Sequence, residues 1–129
     1  MDLQRGGKLW CRLILDAITI GLPVNEVELS LRAFSKTYYG NYYPKYSSNG
    51  RPRVYIYPCK DRKGTLYDYD FILDTLMHEM VHHIQHTSED YVRLKGVMHD
   101  QEFWKLYNKF IYKAKIAGVM SDDYESQVA

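Results

Sequence analysis

Two segments of the chain repeat their hydrophobic residues with the period of an α-helix. The first, residues 8–20, places apolar side chains three or four positions apart and is followed by Gly21, a residue that ends helices. The second, residues 101–118, repeats this pattern and reaches Gly118, a residue typical of helix C-termini. We therefore predict an N-terminal and a C-terminal helix, with a frayed tail over residues 120–129.

A longer helical segment lies between them. It runs over residues 68–86 without glycine or proline, and Asp68 and Asp70 are both suitable N-cap residues. Its apolar positions predict that one stripe of this helix faces the core. Residues 87–98 contain polar turn formers and a glycine, which indicates a loop before the last helix.

Two shorter segments alternate with the period of a β-strand. Residues 26–34 alternate apolar and polar side chains, and residues 51–58 do the same after a polar, glycine-containing connection. Pro52 cannot donate a backbone hydrogen bond, which favours an edge position for the second strand. The chain is therefore predicted to form one α+β domain, residues 1–129, with a small antiparallel β-sheet beside three helices.

Composition narrows the class of protein. The 129 residues are 46% hydrophobic and 26% charged, which is typical of a globular domain and not of a disordered chain. With 17 basic and 16 acidic residues, net charge favours neither nucleic acid nor membrane partners. No apolar run is long enough to span a bilayer, and Cys11 and Cys59 are too few for a disulfide framework. We expect a cytoplasmic protein without a membrane partner.

The long helix carries the sequence His-Glu-Met-Val-His at residues 78–82. Because residues four apart lie on one helical face, about 6 Å from each other, His78 and His82 can bind the same zinc ion. Glu79 is turned about 100° from His78, which lets its carboxylate take a proton from a water held by that ion. This spacing indicates a catalytic zinc site.

A zinc ion that keeps one position open needs a third protein ligand. His86 lies about 12 Å along the helix axis from His78, which is too far for both to bind one ion, and His83 lies off the ligand face. His99, which the loop can bring back to the helix, is the favoured third ligand. The acidic alternatives are Glu89, Asp90 and Glu102, of which Glu102 is the strongest.

The segment HEMVHHIQH, followed after a gap by GVMHDQEFW, resembles the active-site signature of SprT-like zinc metallopeptidases. The order of helix, strand, glycine-bearing connection, strand and active-site helix is also similar, although the specific part of the resemblance covers only residues 77–104. The resemblance implies a minimal zincin-like fold and hydrolysis of a polypeptide substrate. It further implies one Zn²⁺ per chain with ligands His78, His82 and His99, and Glu79 as the general base.

Substrate recognition is expected at the second strand. An extended peptide can add to the edge of a sheet through backbone hydrogen bonds, and Arg53 and Tyr55 are then candidates for substrate contact.

A tyrosine-rich, basic segment suggests another partner. Residues 36–63 hold seven lysines and arginines against one acidic residue, interleaved with seven tyrosines. Cations can follow phosphates and tyrosine rings can stack on bases, so single-stranded DNA is a candidate partner, although a solvated hairpin explains the same pattern. The alternative function is therefore a non-catalytic, zinc-stabilised module that binds nucleic acid or protein, with Cys59 as a possible extra ligand.

Overall fold

The computed structural model describes residues 7–44, 50–88 and 99–126. Within these ranges three helices and three strands form an α+β domain, which confirms the predicted fold class. In chain order the elements are α1 (Lys8–Ile20), β1 (Glu28–Leu31), β2 (Gly40–Tyr43), β3 (Arg53–Ile56), α2 (Tyr69–Thr87) and α3 (Gln101–Ile116), with a short 3₁₀ turn at Val24–Glu26 before β1. None of the described helices is both long and apolar enough to cross a membrane.

The sheet is mixed, so the prediction of an antiparallel sheet is wrong. Its strand order is β1-β3-β2, with β1 parallel and β2 antiparallel to β3. The second predicted strand is therefore central and not an edge. Pro52 lies just before β3, where its missing N–H costs nothing and its carbonyl oxygen accepts a hydrogen bond from the Glu28 backbone N–H at 2.8 Å. The edge strands are β1 and β2, and the sequence pattern did not predict β2.

Helix α2 lies at the centre of the molecule. All of residues 71–81 are buried, because the sheet covers one side of the helix and α3 covers another. Val54 and Ile56 of β3 and Phe103 and Phe110 of α3 belong to the same core. The prediction of a single apolar stripe on α2 therefore understates how much of this helix is buried.

The predicted frayed tail is wrong for residues 120–126. Met120 is buried at 4% exposure, and the hydroxyl groups of Tyr124 and Ser126 donate hydrogen bonds to the buried carboxylate of Asp74 in α2. Gly118 allows the turn into this segment, since its φ of +76° lies in the left-handed region. Residues 127–129 lie outside the described part of the chain.

Candidate metal centre

Three histidines, two of them on α2, lie close together. His78 and His82 lie one turn apart on the helix, and His99 lies two residues before α3. The Nε2 atom of His99 is 3.2 Å from Nε2 of His78 and 3.3 Å from Nε2 of His82. Ligands about 2.1 Å from a tetrahedral zinc ion are about 3.4 Å apart, so this spacing fits one ion. The three side chains form a group that could hold a metal ion.

The protonation of these histidines suits metal binding. Burial, together with the nearby His99, lowers the pKa of His78 to about 4, and burial also lowers the pKa of His99. Both imidazoles are therefore neutral at pH 7, which is the form that binds metals. The Nδ1 atom of His78 is buried without a hydrogen-bond partner in the described part of the chain, so Nε2 is the nitrogen available to a ligand.

One aromatic side chain packs against all three histidines. The ring centroid of Phe103, which is fully buried in α3, lies 4.7–4.9 Å from those of His78, His82 and His99. Trp104 adds a second contact to His99, with centroids 5.5 Å apart. These apolar contacts restrict the imidazole rotamers and leave the Nε2 atoms facing one another.

Glu79 lies beside the histidine cluster in a setting that is unusual for a carboxylate. Its side chain is 7% exposed, and burial raises its pKa to about 8. A cation at the three Nε2 atoms would lower this pKa again by favouring the charged form. Glu79 lines the same cavity as His78, His82 and His99, so a molecule bound there can contact both the histidines and the carboxylate.

This cavity has a volume of about 760 Å³ and lies between α2 and β2. Its β2 wall includes Gly40, Asn41 and Tyr42. A Cβ atom at Gly40 would lie 2.8 Å from Cγ2 of Thr75, 3.0 Å from the carbonyl oxygen of Tyr55 and 3.1 Å from Cγ of Glu79. Only glycine therefore allows β2 to approach α2 this closely, which brings the edge strand next to the carboxylate.

His83 is bound to neighbours other than the histidine cluster. It is almost fully buried, and its Nε2 is 3.1 Å from the Glu26 carboxylate while its Nδ1 is 2.9 Å from the Tyr42 hydroxyl. Because a carboxylate only accepts hydrogen bonds, Nε2 donates to Glu26 and Nδ1 accepts from Tyr42. His83 thus fixes Tyr42 in the cavity wall and, as the sequence predicts, does not belong to the ligand group.

The other candidate ligands that the structure describes are not part of the cluster. Glu102 is exposed and pairs with Lys105 at 3.2 Å. Cys59 is buried and joins the backbone bridges to Phe34 and Leu66, away from the three histidines. Glu89 and Asp90 lie outside the described residues.

Arg53 and Tyr55 do not line this cavity, and their contact with a substrate stays a prediction. Alternate residues of a strand point to opposite faces, and it is Val54 and Ile56 that pack in the core with α2. Arg53 and Tyr55 lie on the opposite face, where the Arg53 guanidinium donates a hydrogen bond to the Tyr55 hydroxyl at 3.0 Å. The Arg53 guanidinium, and with it Arg32, lowers the pKa of Tyr55.

Sequence reasoning missed the cavity wall in β2. The residues that it supplies are Gly40, Asn41 and Tyr42. One signal was present, because a glycine among tyrosines can mark a strand that approaches another backbone closely.

Neither a protein-family model nor a curated protein matches this sequence. Function is therefore inferred from the chemistry of the site.

Proposed function

We propose that this protein is a zinc-dependent peptidase. The observation that carries the proposal is the convergence of three histidine Nε2 atoms in a cavity that also holds the Glu79 carboxyl group. Within the described residues three histidines form the group, and three protein ligands that leave one tetrahedral position open are typical of catalytic zinc, whereas structural zinc sites have four. A general base one residue after the first ligand serves hydrolysis.

Within this proposal His78, His82 and His99 hold the zinc. When bound, zinc would lower the pKa of water in the site and polarise the carbonyl group of the substrate. Glu79 accepts the proton of the attacking water and delivers it to the departing amine nitrogen. Its burial excludes competing water from the carboxyl group, so that the proton passes between Glu79 and the reacting atoms.

An extended peptide is the substrate that best fits the cavity. The edge strand β2 forms one wall, and alternate residues of an edge strand direct N–H and C=O groups away from the sheet. A peptide can pair with these groups and thereby lie across the histidine cluster. Since Gly40 sits against Glu79, a peptide bond paired near this residue lies close to the base. The sequence analysis expected the substrate to pair with the second predicted strand, which is β3 in the structure. We assign this pairing to the edge strand β2 instead.

The Glu79→Gln variant tests the proposal. The amide keeps the size of the side chain but cannot accept a proton, so peptide hydrolysis should fall by about 10²–10⁴-fold while zinc content and folding are unchanged. Hydrolysis is measured on a mixture of unfolded proteins and peptides with zinc-loaded protein. Wild-type protein that binds zinc but cleaves no better than Glu79→Gln would contradict the peptidase mechanism.

The outer face of the sheet supports a second candidate, a binding surface for single-stranded nucleic acid. Two guanidinium groups lie close to the Tyr55 ring, with Arg32 5.1 Å and Arg53 5.6 Å from its centroid. Its ring also contacts Tyr57 and Tyr43 at centroid distances of 6.4 and 5.6 Å. Guanidinium groups bind phosphates and tyrosine rings stack on bases, so this combination matches the chemistry of a single strand.

Fluorescence anisotropy with a labelled oligothymidylate tests this candidate. We expect binding that weakens as salt rises and that Arg32→Ala and Tyr55→Ala each reduce, whereas His86→Ala in the cavity leaves it unchanged. Binding that neither outer-face substitution reduces would exclude this face. Cleavage stimulated by the oligonucleotide would connect the two functions.

A further inference from the structure

A single carboxylate oxygen joins α2 to the beginning of α3. The side-chain Nε2 of Gln85 donates a hydrogen bond to Oδ1 of Asp100 at 3.1 Å, and the backbone N–H of Phe103 donates to the same oxygen at 2.8 Å. Gln85 and Asp100 are each 6% exposed, so this arrangement is shielded from water. The second of these hydrogen bonds is the N-cap of α3.

The orientation of the Gln85 amide follows from its partner. A carboxylate accepts hydrogen bonds and does not donate them, so the nitrogen of the amide, and not its oxygen, must face Asp100. Replacing the amide nitrogen by a group without N–H therefore removes this hydrogen bond and leaves the cap of α3 in place.

The position of this hydrogen bond relates it to the metal centre. His99 directly precedes Asp100, and Gln85 follows His82 by three residues on the helix that supplies the other two ligands. The same Asp100 oxygen also fixes the first turn of α3, from which Phe103 packs against all three imidazoles. The hydrogen bond thus connects the helix of two ligands to the residue beside the third.

We infer that Gln85 is a positioning residue for the metal centre, which sets the distance of His99 from His78 and His82 through Asp100. This inference rests on the metal centre of the proposed function and not on peptide hydrolysis. It assigns Gln85 a role in metal affinity that a simple link between two helices would not have. Hydrogen bonds made directly to metal ligands typically change metal affinity by 10- to 100-fold, and because this one acts through the residue next to a ligand we expect the lower end of that range.

The test is a zinc titration of the full chain in competition with a chromophoric chelator. Gln85→Met keeps the length of the side chain but removes the N–H, and Asp100→Ser keeps a capping oxygen that is too short to reach Gln85. Each should raise the zinc Kd about tenfold or more, and the double variant should bind no more weakly than the single variants. Asp100→Asn retains an acceptor oxygen for both hydrogen bonds, so its zinc Kd should stay within about threefold of the wild-type value.

His86→Gln is the matched control, since His86 is the next residue on α2 but is exposed at the rim of the cavity. It should leave the zinc Kd unchanged. Thermal unfolding of the zinc-free variants separates positioning from stability. An unchanged zinc Kd in Gln85→Met, with a lowered Tm of the zinc-free protein, would overturn the inference. Gln85 would then only stabilise the packing of α2 against α3. If Gln85→Met fails to fold, Asp100→Ser decides in the same way.

Failure of the two proposals can be told apart. A wild-type chain that binds no zinc overturns both the metal centre and the role of Gln85. If zinc binds with the expected order of affinities and no peptide is cleaved, the role of Gln85 stands and the peptidase proposal fails.

Discussion

Two clusters of polar side chains are centred one turn apart on α2, at Asp74 and His78, and they differ in how their hydrogen bonds are satisfied. Around Asp74 the carboxylate accepts hydrogen bonds from the hydroxyl groups of Tyr107, Tyr124 and Ser126, with oxygen distances of 2.6 Å for Tyr124 and 2.9 Å for Ser126. Asp74 is completely buried. Each of these hydroxyl groups has an acceptor, so the cluster stabilises the fold without needing a ligand.

Around His78 the polar atoms are not paired with hydrogen-bond partners in the way that those around Asp74 are. Three Nε2 atoms converge, and because a neutral imidazole carries a hydrogen on only one of its two ring nitrogens, each Nε2 can offer a lone pair at the point where they meet. Nδ1 of His78 is buried without a partner in the described ranges, and the cluster opens into a cavity of about 760 Å³. The comparison teaches that a satisfied polar cluster stabilises a fold, whereas a cluster of converging acceptors indicates a site for a cation.

The largest expected effect comes from the histidine cluster. His82→Ala removes one of three ligands and should weaken zinc binding by more than the 10- to 100-fold that an outer hydrogen bond contributes. The zinc-dependent rise in Tm should disappear with it, since that rise depends on binding to the folded state. Unfolding of the zinc-free protein should change by only about 0.5 kcal/mol, because the cluster without metal contributes little stability.

The matched control for this variant is His86→Ala at the exposed rim of the cavity, which should keep full zinc affinity. Equal losses of zinc affinity in the two variants would contradict the assignment of His82 as a ligand.

The Asp74 cluster should show the opposite pattern. Asp74→Ala leaves three hydroxyl groups without their acceptor, one of them on the buried Tyr107, and should lower the free energy of unfolding by about 2–4 kcal/mol. Zinc affinity of the folded protein should stay within about threefold of wild type. Urea denaturation of zinc-free protein measures the first effect, and zinc titration measures the second.

Tyr124→Phe provides a smaller step in the same cluster. It removes one hydroxyl and leaves the carboxylate with its other donors, so the free energy of unfolding should fall by about 1 kcal/mol.

A loss of zinc affinity in Asp74→Ala as large as that in His82→Ala would contradict the separation of the two clusters. It would mean that they act as one unit.

A steric test of the comparison is available where β2 meets α2. Gly40→Ala adds a methyl group that would meet Thr75, Glu79 and the backbone of β3, and it should cost about 1–3 kcal/mol of unfolding free energy. Because the added methyl group displaces Glu79, hydrolysis should fall more than the zinc affinity does. An activity unchanged from wild type would show that β2 can move away from α2 without displacing Glu79.

Local signals explain which parts of the fold could be predicted from the sequence. Helix α1 was predicted with its observed bounds, since its periodicity and the glycine after it both lie within the segment. Strand β2 was missed because GNYY shows no alternation of apolar and polar residues and all four residues are only partly buried. The parallel pairing of β1 with β3 depends on the path of the chain between them, which no local pattern records.

The candidate site divides in the same way. His78, Glu79 and His82 follow from helical spacing alone, and the structure places all three at one cavity. The prediction that His99 joins them agrees with the Nε2 distances, although helical spacing could not supply it, because His99 reaches the cluster through packing of α3. Gln85 could not be assigned a role from the sequence, since its partner Asp100 is fifteen positions away.

The burial of α2 has a consequence for the exchange of its backbone amides with solvent. Residues 71–81 are buried without exception, whereas burial becomes intermittent from His82 to the end of the helix. Amides in the first part therefore exchange only when the whole domain opens, while those in the last turn can exchange by local opening. The histidine motif spans the boundary between these two regimes. We therefore expect the His78 amide to exchange only by global unfolding and the His82 amide to exchange by local opening of the helix end.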